Sequence, residues 1–300
     1  MPAPRFGRLI TAMVTPFASD GALDAKAARR LAAHLVDHGS DGLVLAGTTG
    51  ESPTLSHAEK LELVEAVLGE VGDRAVVIAG TGSYDTRETI ELTRAACDLG
   101  VHGCLVVTPY YSKPPQNGLL AHFRAVADAA AKPLMLYDIP GRTARRIERP
   151  TMVELAGHEG IVAVKDAVGD AGETAALRRD LDDAGHTSFE IYSGDDPLVL
   201  PHLAAGAVGI VSVCSHLVGP RLEEMFGHWE GGRVDEARAT YTALLPFMRT
   251  IMTLTASPIP VKAAVNMIGI EVGEPRLPLV PATADEAAAI RAALEGEGLL

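Results

Sequence analysis

The sequence predicts an α/β protein with a (β/α)8 TIM barrel over residues 1–225 and a helical extension over residues 226–300. Three observations predict this. Eight short apolar runs recur along the chain, most of them β-branched, each followed by a turn and an amphipathic helical stretch. Each run is nearly continuous in apolar residues, as in parallel strands covered on both faces. After the eighth run the pattern is wholly helical. A doubly wound open sheet is the structural alternative, but it calls for a glycine-rich phosphate turn after its first strand, and here the first run ends in Thr15-Pro16-Phe17.

The predicted strands are Leu9–Val14, Gly42–Ala46, Ala75–Ala79, Cys104–Thr108, Pro133–Tyr137, Ile161–Lys165, Phe189–Ser193 and Gly209–Val213. Between the first two, residues 25–38 place Ala28, Leu31, Ala32 and Leu35 on one helical face. Ser56-His57-Ala58-Glu59 has the form of a capping box and opens the next helix; Asp85-Thr86-Arg87-Glu88 opens the one after in a similar way. Gly39, Gly100 and Gly185 stand where helices should stop. Beyond the eighth strand, Pro220–Trp229, Val234–Leu254, Pro260–Ile268 and Asp285–Leu294 read as helices.

With 300 residues the chain can bury a core without disulfide or metal staples. A net charge of −13 argues against a nucleic-acid or anionic-membrane surface, since neither would be attracted to it. Cys97, Cys104 and Cys214 form no C-x-x-C pair and fall in apolar or helical contexts, so buried free thiols are expected. Residues 1–15 carry no leader pattern, and no apolar run reaches membrane-spanning length. The expectation is a soluble cytoplasmic protein. Ten histidines form neither H-x-H nor H-E-x-x-H, which gives no indication of a metal site.

A barrel of this kind carries its site at the C-terminal ends of its strands. Lys165 closes the run Ile161-Val162-Ala163-Val164 and is one of only six lysines. An amine there is partly desolvated, and a free amine is what adds to a ketone. The position fits two roles, a nucleophile or an ion-pair partner of Asp138 or Asp166. Lys262 is a weaker candidate because its context is helical. Gly47-Thr48-Thr49-Gly50-Glu51 could hold a carboxylate on backbone N–H groups, or could simply connect strand to helix. Tyr110, Tyr111 and Tyr137 all end strands, where a phenol can relay protons or merely pack. Arg142, on the tight turn after Pro140-Gly141, suits a bidentate carboxylate or a surface salt bridge. Gly194-Asp195-Asp196-Pro197 fits a cation site or a helix N-cap turn.

Together these motifs resemble the dihydrodipicolinate synthase family, which includes N-acetylneuraminate lyase. The resemblance runs over nearly the whole chain. It rests on Gly47-Thr48-Thr49-Gly50-Glu51-Ser52, Gly80-Thr81-Gly82, Thr108-Pro109-Tyr110-Tyr111, residues 137–143 (Tyr-Asp-Ile-Pro-Gly-Arg-Thr), Val164-Lys165-Asp166 and Ser193-Gly194-Asp195-Asp196. The resemblance implies class I aldolase chemistry with no metal and no organic cofactor. Pyruvate forms a Schiff base with Lys165, and its enamine attacks L-aspartate-4-semialdehyde to give 4-hydroxy-tetrahydrodipicolinate for diaminopimelate and lysine synthesis. It further implies Tyr137 as proton donor and acceptor, with Thr48 and Tyr111 completing a hydroxyl relay. Thr48 and Thr49 hold the pyruvate carboxylate, Arg142 holds that of the semialdehyde, and the backbone carbonyl of Val211 faces the pyruvate site. Tyr111 is typically supplied across a subunit interface, so a homotetramer built as a dimer of dimers is expected.

Within the family, sugar-acid lyases share the lysine and the tyrosine but need a pocket for a polyhydroxylated chain. The Pro-Gly-Arg-Thr turn and the Tyr110-Tyr111 pair resemble the synthase branch, and a lyase for a sugar acid or other aldehyde is the alternative. A non-catalytic keto-acid binder should lack the lysine or the relay. A phosphate or pyridoxal barrel should show a glycine-rich loop where Asp195 and Asp196 stand. Feedback-inhibited members bind lysine near the region of Ser52–Lys60, Tyr84, Glu88 and Tyr110. Lys60 stands where they often carry His or Glu, and Tyr84 where they often carry Asn. A cation at Lys60 repels a lysine effector, so weak or absent inhibition by lysine is expected.

Overall fold

The computed structural model describes residues 3–300, so the first two positions of the N-terminal reading lie outside it. Strands and helices alternate as β1 (Leu9–Ala12), α1 (Ala25–Asp37), β2 (Gly42–Leu45), α2 (His57–Val71), β3 (Val76–Gly80), α3 (Thr86–Asp98), β4 (Gly103–Val107) and α4 (Gln116–Ala129). There follow β5 (Leu134–Asp138), α5 (Pro140–Thr143), α6 (Arg149–Ala156), β6 (Ile161–Asp166), α7 (Ala171–Asp183), β7 (Glu190–Ser193), α8 (Val199–Ala204) and β8 (Gly209–Ser212). Four helices complete the chain: α9 (Ser215–Glu230), α10 (Val234–Thr253), α11 (Ile259–Met267) and α12 (Ala284–Gly296). The strands close into a parallel barrel in chain order, β1 to β8. This is the expected architecture, and each of the eight predicted runs overlaps its strand, with ends displaced by two residues at most.

Two compact units divide the chain. One holds Val77–Val211 with the N-terminal residues up to Arg5, and the other holds Phe6–Val76 and Ser212–Leu300.

In the first unit, Val107 pairs with Tyr137, Tyr137 with Lys165, and Lys165 with Tyr192. The following row pairs Asp138 with Asp166, and Asp166 with Ser193. Successive side chains on a strand point to opposite faces. Lys165 and Tyr137 therefore share one face, and Asp138 and Asp166 share the other. The second face is the helix side, because the Thr174 hydroxyl of α7 donates to Asp166 Oδ2 at 2.6 Å. Asp85 caps α3 by accepting from the N–H groups of Arg87 and Glu88. The Glu88 carboxylate accepts from Ser83 Oγ at 2.6 Å. The expected tight turn at Pro140 is a single helical turn, ended by Ala144 with φ 54°.

In the second unit, all four predicted apolar positions of α1 are buried. Ser56 and Glu59 form the predicted capping box on α2. The buried Thr11 hydroxyl lies 2.6 Å from Ser40 Oγ and 2.7 Å from Ser215 Oγ, tying β1 to α9. Burial pushes His216 down to about 4. The ring is therefore neutral, accepting from Val14 N–H at 3.1 Å on Nε2 and donating from Nδ1 to the Val213 carbonyl at 2.8 Å. Helix α9 begins five residues before the predicted start at Pro220, with a kink at Val218. The kink follows from Pro220, whose ring crowds the backbone one turn earlier. Gly219 is required there: a Cβ on it would stand 2.3 Å from the His38 carbonyl oxygen.

Candidate active site

Lys165 lies on β6 with 5% of its surface exposed. Its Nζ sits 4.5 Å from the centroid of the Tyr137 ring, itself buried on β5. Of its two proposed carboxylate partners, Asp166 accepts from Val168 N–H at 3.0 Å and from Thr174. Asp138 accepts from Ile147 N–H at 3.2 Å. Among the described residues Lys165 makes no ion pair. Strand parity explains this, since both carboxylates leave the strands on the opposite face. A buried amine free of carboxylates, beside a phenol, is suited to carbonyl addition with proton transfer nearby.

The space around the Lys165 stem depends on Gly194, in the segment whose sequence fits a cation site or a helix N-cap turn. A Cβ on Gly194 would lie 3.1 Å from Lys165 Cε and 2.8 Å from Ala167 Cβ. Gly194 thus leaves room for the lysine side chain. The only sequence signal for it was a glycine directly after a strand end. The neighbouring Asp195 occupies the N-cap position of a short 3-10 turn, Asp196–Leu198, without a side-chain cap bond. Burial and the adjacent Asp196 raise Asp195 to about 6. Among the described residues no three His, Cys, Asp or Glu side chains converge.

Arg142 lies exposed on α5, and no ion pair engages it among the described residues. The segment around it is held firmly. Thr143 Oγ1 donates to the Ile139 and Arg145 carbonyls, Arg145 Nε donates to the Pro114 carbonyl at 2.6 Å, and Gln116 Nε2 donates to the Arg146 carbonyl at 2.9 Å. The Asp138 bond to Ile147 anchors its far end. Burial is the largest influence on Asp138 and lifts it to about 7, with Asp166 pushing the same way and the Ile147 N–H opposing.

The folded chain holds a proton on Asp138 across a window, from about pH 4 to about pH 7, where the unfolded chain has released it. Stability from this group therefore falls as pH rises through that window and levels above it. Asp138→Asn keeps an acceptor for Ile147 and removes the penalty. Relative to wild type its stability gains about 3 kcal/mol between pH 5 and pH 8. Melting temperatures of both proteins at the two pH values check this; a difference that does not change with pH contradicts it.

Tyr110 is half-buried and meets Tyr84 edge-on, with ring centroids 5.3 Å apart. Tyr111 is 93% exposed and has a left-handed backbone with φ 68°. Val211 is fully buried in β8.

Thr48 and Thr49 belong to the other unit, on the turn after β2. Thr49 is buried and Thr48 partly so. Glu51 N–H donates to the Thr48 carbonyl and Ser52 N–H to the Gly47 carbonyl, both at 3.1 Å. Among the described residues, the N–H groups of Thr48 and Thr49 donate to no protein acceptor. Such an arrangement suits an anion. Lys262, the weaker nucleophile candidate, is as buried as Lys165, at 1% exposure, but its Nζ is committed to Glu51 Oε1 at 2.8 Å. Burial lowers Lys262 while Glu51 pulls the other way.

The three cysteines are buried thiols outside any disulfide, as expected, with Cys97 Sγ and Cys104 Sγ 4.0 Å apart. No helix among the described residues is long and apolar enough to cross a membrane.

The family model for the dihydrodipicolinate synthetase family matches residues 5–297. The 4-hydroxy-tetrahydrodipicolinate synthase of Synechococcus elongatus is 52% identical over 301 residues, covering 100% of this chain and 99% of the relative. Among solved structures, the DHDPS of Cyanidioschyzon merolae with lysine bound matches with a TM-score of 0.95 at 44% identity, covering 99% of this chain and 100% of that one. The chloride-inhibited dihydrodipicolinate synthase of Acinetobacter baumannii complexed with pyruvate matches with a TM-score of 0.94 at 35% identity, covering 98% of this chain and 100% of that one. The likeness extends from end to end in both sequence and fold, and the chain belongs to the dihydrodipicolinate synthetase family.

Proposed function

We propose that the chain condenses pyruvate with L-aspartate-4-semialdehyde through a Schiff base on Lys165, forming 4-hydroxy-tetrahydrodipicolinate. The observation that carries this reading is the buried Lys165 amine, free of carboxylates and set over Tyr137, in a chain of this family. The activity is that of the relatives by name, and one of them was solved with pyruvate.

The amine adds to the pyruvate ketone, and water leaves to give the imine. Loss of a methyl proton gives the enamine, whose carbon bonds to the semialdehyde carbonyl. The amino group of the semialdehyde then closes the ring on the imine carbon and releases Lys165. Tyr137 moves protons beside the imine, and Thr48 and Tyr111 connect it to solvent. Thr48 and Thr49 hold the pyruvate carboxylate on N–H groups not used by the turn, with the Val211 carbonyl facing the same site. Arg142 takes the carboxylate of the semialdehyde on its planar fork. Neither a metal nor an organic cofactor takes part.

Tyr111 bears on the assembly. A strained, fully exposed tyrosine is costly in isolation and reasonable under a partner. A second copy of the chain covers it, within a homotetramer built as a dimer of dimers.

Turnover tests the reading. Pyruvate with L-aspartate-4-semialdehyde gives rapid product, and pyruvate with sugar aldehydes gives little. The same assay keeps its rate in millimolar lysine, because Lys60 repels that effector. Preference for a sugar aldehyde would reject the proposed substrate, and strong lysine inhibition would reject the role of Lys60.

A further inference from the structure

The turn bearing Thr48 and Thr49 ends at Glu51, whose backbone is left-handed with φ 56°. That conformation costs a residue with a side chain about 1 kcal/mol or more, so the surroundings must impose it. Both oxygens of the buried Glu51 carboxylate are engaged: Oε1 accepts from Lys262 Nζ and Oε2 from Arg276 N–H, each at 2.8 Å. Lys262 also donates to the Glu274 carbonyl at 3.1 Å. The Lys262 ammonium and the Arg276 guanidinium both lie on the Phe17 ring, 4.2 and 4.1 Å from its centroid. Arg276 continues to the Gly21 and Thr54 carbonyls, at 2.8 Å each, and pairs with Glu59. On the turn side, Thr15 Oγ1 donates to the Gly50 carbonyl at 2.6 Å.

A buried ion pair of this kind adds little stability over a packed apolar pair, because desolvation offsets the attraction. What it can do is fix one arrangement. The geometry points to Glu51, Lys262 and Arg276 as positioning residues, a clamp from the C-terminal part of the chain that sets the Thr48-Thr49 N–H groups for the pyruvate carboxylate. The inference rests on the reading of that turn as the pyruvate carboxylate site. None of the three touches substrate; they act through the turn.

The test is Lys262→Met in the full chain. The expected result is a KM for pyruvate raised about tenfold, from the strained turn losing a buried charged partner, with much smaller changes in kcat and in the semialdehyde KM. Lys262→Arg, which keeps the charge, recovers much of the pyruvate KM. Leu294→Ala, buried on α12 and outside the clamp, serves as a destabilised control: its melting temperature falls and its pyruvate KM stays at the wild-type value. If Lys262→Met does not accumulate as folded protein, Glu51→Gln gives the same test, losing the charge at constant length. A wild-type pyruvate KM in the clamp variant overturns the inference. So does an equal loss in kcat and both KM values, or a raised pyruvate KM in Leu294→Ala. Failure of the underlying reading shows separately, as wild-type protein that forms no borohydride-trapped pyruvate adduct on Lys165.

Discussion

Lys165→Ala is expected to lower turnover by about 10⁴-fold or more, because no other group can carry the imine. The other buried lysine, Lys262, is bound to Glu51 and cannot substitute. The fold should survive the change, since among the described residues Lys165 makes no ion pair whose loss would strand a buried carboxylate. Steady-state turnover together with circular dichroism checks both points. A folded variant that keeps a sizeable fraction of the wild-type rate contradicts the assignment.

Arg142→Ala carries the second large effect. Removing a charge-assisted fork from a carboxylate costs about 2–4 kcal/mol, so kcat/KM for the semialdehyde should fall by about 30- to 10³-fold. Imine formation with pyruvate should proceed as in wild type. The loop that carries Arg142 is braced by Thr143, Arg145, Gln116 and Asp138. Truncating an exposed side chain on such a frame leaves the frame in place. Arg142→Lys should recover only part of the loss, because an ammonium lacks the planar fork. The check is kcat/KM for each substrate alongside the yield of trapped imine. Equal damage to both substrates contradicts the role.

The fold was legible because buried parallel strands are written as apolar runs and helix ends as caps, both local signals. Gly39, Gly100 and Gly185 have positive φ where helices were expected to stop. The separation of Lys165 from Asp138 and Asp166 also has a local cause, the alternation of a strand, which sends both carboxylates to the other face. What stayed hidden was long-range. Glu51 and Lys262 are 211 residues apart, and no spacing rule connects them. Lys262 therefore reads only as a weaker nucleophile candidate in a helical context. Gly194 read as a turn residue because its work is to leave space for Lys165, and absent atoms leave little trace in a sequence. The weakened acidity of Asp138 is likewise a property of burial between strands and the helix layer, which only the packed chain shows.

The central claim is that Lys165 is the amine that captures pyruvate. Incubating the protein with pyruvate and borohydride, digesting it and locating the added mass tests this most directly. The account predicts one reduced pyruvate adduct per chain, on the peptide containing Lys165. No adduct, or an adduct on Lys262, would contradict it.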